Sequence, residues 1–193
     1  MTSLFELLIG FLSSFGLNLI PFAGPSNLLI ASNFALILGT GDPPTLVALG
    51  FLIALAAALA KSIHYLVTFF VGKHLSEKYR HQLDVKATKI RRWAFPLLFV
   101  AAVTPIPDEP IVIPLGLMKY SPIKFFIVYF SGKALITIVG VFLGSWTRNM
   151  FSGWLTLEAM IALSIMLTIV ITIILLKVDV NKYAERFSKK RAA

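Results

Sequence analysis

Thr104-Pro-Ile-Pro-Asp-Glu-Pro110 decides how the rest of the chain is read. It sets two adjacent carboxylates, Asp108 and Glu109, among three prolines, Pro105, Pro107 and Pro110. Uncharged apolar arms flank it, Ala94–Val103 before and Ile111–Met118 after. Each arm is shorter than the roughly 20 residues a helix needs to cross a bilayer. The prolines remove backbone donors and forbid a continuous helix through the motif. Broken backbone and ionisable groups at membrane depth persist only where protein buries them or water fills a cavity. The motif is therefore the candidate working site.

Composition sets the class. The chain has 193 residues, of which 58% are hydrophobic and 14% charged, far from the average soluble domain. The reading is a single all-α integral membrane domain over residues 1–193 whose outside is solvated by lipid. No cysteine is present, so disulfides and thiolate metal sites are excluded. His64, His74 and His81 lack zinc-ligand spacing, and neither a metal nor a cofactor is expected. The first 60 residues hold no Lys or Arg, so no basic leader of a secretory signal is expected.

The net charge of +9 is localised. Lys73–Arg92 holds seven Lys/Arg against Glu77 and Asp84, and Lys177–Ala193 holds six against Asp179 and Glu185. These two segments, at +5 and +4, account for the whole excess. Both directly follow apolar stretches, which is the positive-inside pattern, with anionic lipid as the expected counter-charge. Nucleic acid is not an expected partner, because no aromatic-studded reading surface accompanies the basic residues.

Thr45–Val71, Pro122–Ser145 and Leu155–Leu176 read as three long transmembrane helices. Before and between them lie two opposed, proline-broken re-entrant hairpins. One runs over about 4–38 and breaks at Pro21-Phe-Ala-Gly24-Pro25-Ser-Asn27; the other runs over about 93–118 and breaks at the acidic motif. A cytoplasmic loop 73–92 and tail 177–193 then place the N-terminus outside the cell membrane. Repeat one covers about 4–72 and repeat two about 93–147. Ala60-Lys-Ser-Ile63 aligns with Gly132-Lys-Ala-Leu135, and without gaps Gly72 meets Gly144. The first long span runs inward and the second outward, so the repeat is inverted, the sequence sign of a transport fold with a midplane site.

Lys61 stands 11 residues from Gly72, roughly 16 Å along a helix, and Lys133 is as far from both Pro122 and Gly144. Neither can snorkel, so both face protein or water. Lys133, Thr137, Gly140 and Gly144 share a small, polar helix face, and Lys61, His64, Tyr65, Thr68 and Gly72 share another. One unpaired charge at the bilayer centre costs about 2.5–3.5 kcal/mol. Four would cost on the order of 10–14 kcal/mol, comparable to a whole domain's stability. Lys61 and Lys133 are therefore expected beside Asp108 and Glu109, with His64 as a further proton-relay candidate. The same charges also fit purely structural ion pairs. Hydrolysis is not expected, since no nucleophile or metal-ligand cluster accompanies the carboxylates.

At the acidic motif the chain resembles the DedA family, the membrane proteins with a VTT (SNARE-associated) domain. Pro105, Gly116, Phe125 and Gly132 keep that family's spacing, with Trp146 further on, and Pro21-Phe-Ala-Gly24 looks like its first re-entrant motif. The resemblance covers about 17–146. The family's usual arginines fall here at Ala102 and Asp108, and its first-hairpin glutamate at Pro25, so those roles do not carry over.

The resemblance implies two opposed hairpins and movement of phospholipid or a polyprenyl-phosphate carrier between leaflets, some members using proton-motive force. The expected activity is lipid translocation rather than enzymatic, with anionic headgroups drawn to Lys61 and Lys133. Protons and a homo-oligomeric partner remain open. The alternative is a proton-coupled transporter of a small ion or solute.

Overall fold

Seven helices make up the described part of the chain, and no strand occurs among the described residues. A computed structural model describes residues 4–21, 25–39, 41–72, 93–105 and 108–177. The helices are α1 (Leu4–Asn18), α2 (Asn27–Leu38), α3 (Pro43–Val71), α4 (Trp93–Val103), α5 (Glu109–Leu117), α6 (Pro122–Phe151) and α7 (Leu157–Lys177). The basic loop, the tail beyond Lys177, Gly24 and Pro107 lie outside the described residues.

Two helices, α3 (29 residues) and α6 (30 residues), are long and apolar enough to cross a membrane. Local chemistry sets their starts: Asp42 accepts from the Thr45 amide ahead of the Pro43–Pro44 opening of α3, and Ser121-Pro122 opens α6. The sequence reading ends the second span at Ser145. The helix runs on to Phe151, because nothing between Trp146 and Met150 breaks it before Ser152-Gly153. At about 1.5 Å per residue, α6 is longer than a hydrocarbon core of about 30 Å.

α3 and α6 pack on each other through small residues. Ala54, Ala56, Ala57, Ala58 and Ala60 of α3 are fully buried, and a methyl on Gly50 would lie 3.3 Å from the Ile138 backbone. The Thr137 hydroxyl of α6 lies 2.9 Å from the Gly50 carbonyl. Around this pair the four short arms are exchanged. α1 packs on α3 and α2 on α6, whereas α4 packs on α6 and α5 on α3.

The matched glycines mark this exchange. Gly144 of α6 lies directly against the Ser32 carbonyl of α2. A methyl on Gly72, at the end of α3, would come within 2.8 Å of the Leu117 carbonyl of α5. Each hairpin has its own apolar core. Ile30, Ala31, Leu46, Leu49, Ile53 and Val141 surround the first, and Leu98, Ala102, Val112, Leu115 and Phe125 the second. α7 attaches to α2 through polar contacts: Asn33 receives the Ser164 hydroxyl and donates to Thr168 Oγ1 at 3.1 Å.

Candidate functional site

The helix ladder of the second hairpin is interrupted at the acidic motif. α4 ends at Val103, and α5 restarts with Asp108 as its N-cap and Glu109-Pro110 as its first turn. The restart places both carboxylates at the positive end of α5, where anionic side chains are favoured. Pro110 and Pro105 lie at the break, and Pro21 and Pro25 border the break between α1 and α2.

The structure brings Asp108, Glu109, Lys61 and Lys133 together. Asp108 bridges the two long helices: its Oδ1 lies 3.3 Å from Lys61 Nζ and its Oδ2 lies 3.0 Å from Lys133 Nζ. Glu109 Oε1 pairs with Lys61 Nζ. Each of the four residues is only 4% exposed. Two ammonium and two carboxylate groups form a set with no net charge, and this removes most of the penalty for burying ions.

Tyr129, which the sequence reading passed over, completes the cluster. Its hydroxyl donates to Asp108 Oδ2, and Lys133 Nζ stands 5.1 Å from its ring centroid, within cation–π reach. The signal for it was present, since Tyr129 lies one helical turn before Lys133 on the same face of α6. Tyr129 stacks on Phe125 at 5.6 Å between ring centroids, and Phe125 stacks on Tyr65 at 4.3 Å. Tyr65 in turn donates to the Tyr120 carbonyl at the α5–α6 turn. A buried aromatic column thus runs from that turn to the ion cluster.

His64 is placed elsewhere. Its Nε2 lies 3.0 Å from the Leu19 carbonyl at the end of α1, so Nε2 carries the proton and donates there. Its Nδ1 is buried without a hydrogen-bond partner. None of the described contacts joins His64 to the four charges, and its contact is with the first hairpin instead.

The break of the first hairpin has its own polar group, also missed by the sequence reading. Asn18 and Asn27 exchange reciprocal amide hydrogen bonds, both 3.0 Å. Asn18 also donates to the Ser14 carbonyl at 2.8 Å, and the Ser14 hydroxyl donates to the Ile53 carbonyl of α3 at 3.2 Å. All three residues are buried. Asn27 opens α2 as Glu109 opens α5, so neutral amides occupy in one hairpin the station that ions occupy in the other.

The VTT domain family matches residues 24–146, well over half of the chain. No curated protein and no solved structure matches it. The motif residues inside the match have steric reasons to be what they are. Gly116 lies directly against the Thr68 hydroxyl, and a methyl on Gly132 would come 2.6 Å from the Ala102 methyl. Phe125 is fully buried in the aromatic column. Trp146 is largely exposed, as are Trp93 and Trp154.

Proposed function

The chain belongs to the VTT-domain (DedA) family of membrane proteins, and from that premise we propose that it moves a phosphate-bearing lipid between leaflets. The lipid is a phospholipid or a polyprenyl-phosphate carrier. In this reading α3 runs inward and α6 outward, α7 is a third crossing, and the two hairpins are re-entrant and opposed. The exchanged packing of the four arms and the matched contacts of Gly72 and Gly144 support an inverted repeat. Exposed apolar side chains on α3 and α6, among them Val67, Phe70, Ile127 and Val139, suit a surface solvated by lipid tails.

The observation that carries the reading is the buried, charge-balanced cluster at a broken hairpin between two span-length helices. A headgroup phosphate competes with the carboxylates for the ammonium groups while its tails stay in lipid. Asp108 and Glu109 compensate the lysines when no headgroup is bound. Basic residues at 73–92 and 177–193 gather anionic lipid at the cytoplasmic surface.

Purified protein in liposomes with a fluorescent phospholipid or polyprenyl phosphate tests this directly. Protein-dependent exchange between leaflets, abolished by Lys133→Met, is the expected result. No exchange of either lipid would sink the proposal. A second reading, a proton-coupled carrier of a soluble anion, is favoured by the enclosure of all four charged side chains. Uptake of such an anion without lipid exchange would select it.

A further inference from the structure

The four charges are not equivalent in their surroundings. Lys61 faces two carboxylates, Glu109 and Asp108 Oδ1. The described partners of Lys133 are one carboxylate oxygen, Asp108 Oδ2, and the face of the Tyr129 ring. That same oxygen also accepts the Tyr129 hydroxyl, so its electron density is shared between two donors. Lys61 is thus the over-compensated ammonium and Lys133 the under-compensated one.

We infer that the cluster is two devices, a lock formed by Lys61 with Glu109 and an anion-exchange station formed by Lys133, Asp108 and Tyr129. The lock ties the start of α5 to α3. At the station, an incoming phosphate takes the Lys133 hydrogen bond that Asp108 Oδ2 held. The Tyr129 ring keeps the ammonium in place through the exchange, and its hydroxyl remains as a donor to the released carboxylate. A ring face holds a cation without supplying a competing anion, so it suits a site that must bind and let go. The chemistry recognised is a phosphate oxyanion, whether on a lipid headgroup or free in solution. This assignment rests on the proposed movement of a phosphate-bearing lipid.

The charges can be removed as two pairs, each leaving a neutral cluster behind. Lys61→Met with Glu109→Gln leaves Lys133 and Asp108; Lys133→Met with Asp108→Asn leaves Lys61 and Glu109. Thermal unfolding in detergent, followed during titration with short-chain phosphatidylglycerol and separately with inorganic phosphate, reads stability and binding without any transport assay. The lock variant should melt several degrees lower and shift the binding midpoint less than the station variant. The station variant should melt close to wild type and weaken binding at least tenfold. Tyr129→Phe, which keeps the ring and removes the hydroxyl, should weaken binding less than Tyr129→Leu.

Stabilisation by phosphatidylglycerol but not by phosphate assigns the station to headgroups; the reverse assigns it to a free anion. Equal effects of the two pairs on both readouts, or a station variant that fails to fold, would overturn the division. So would a wild type that neither anion stabilises. Lys133-dependent binding with no leaflet exchange in liposomes would instead leave the division standing and remove the transport reading.

Discussion

The two hairpins solve one problem with different chemistry. In each, one helix ends and the next begins after a break, and both leave polar groups buried among apolar side chains that cannot solvate them. The first closes its break with reciprocal amides, Asn18 and Asn27, supported by Ser14. The second closes its break with ions that reach both long helices. Amides satisfied by each other have little reason to exchange partners. A charge-balanced set can be unbalanced by one incoming anion. On the proposed function, the same architecture thus holds a fixed hairpin and a responsive one.

Breaking the comparison at the ions should have the largest effect. Lys133→Met leaves Asp108 short of a cation in a buried site and should cost about 3–5 kcal/mol, the range for a broken buried pair. Thermal unfolding in detergent checks it. Next comes the packing that fixes the arms. Gly144→Ala drives a methyl into the Ser32 backbone and should cost about 3 kcal/mol by overpacking. Gly72→Ala, whose contact with Leu117 is looser, should cost less. Gly153→Ala meets nothing within 4 Å and should leave the unfolding midpoint where it was.

Of the two polar groups, the amides should show the smaller loss. Asn27→Ala removes one interhelical hydrogen-bonding pair and should cost about 1 kcal/mol. A loss at Asn27 as large as that at Lys133 would erase the distinction between the two hairpins.

How much of this was legible in the sequence follows the same division. Charges in an apolar chain announce themselves, since burying one alone costs about 2.5–3.5 kcal/mol. That cost was enough to put Lys61 and Lys133 beside Asp108 and Glu109. Asn18, Asn27 and Ser14 were passed over because neutral polar groups raise no comparable alarm. Which amide meets which depends on the tertiary approach of α1 to α2. Tyr129 was missed for a related reason, as a tyrosine in an apolar span reads as packing until its hydroxyl is seen on a carboxylate. His64 shares a helix face with Lys61, yet the chain end of α1 reaches its ring and claims it. Spacing along one helix gives the face but not the neighbour that arrives there.

On the proposed function, the responsive hairpin and not the fixed one holds the working site. Leaflet exchange of a fluorescent phospholipid in liposomes, compared between Lys133→Met and Asn27→Ala and normalised to folded protein, tests it most directly. Lys133→Met should abolish exchange, and Asn27→Ala should retain it. Exchange by Lys133→Met at the wild-type rate, or equal loss in both variants, would place the working site outside the acidic hairpin.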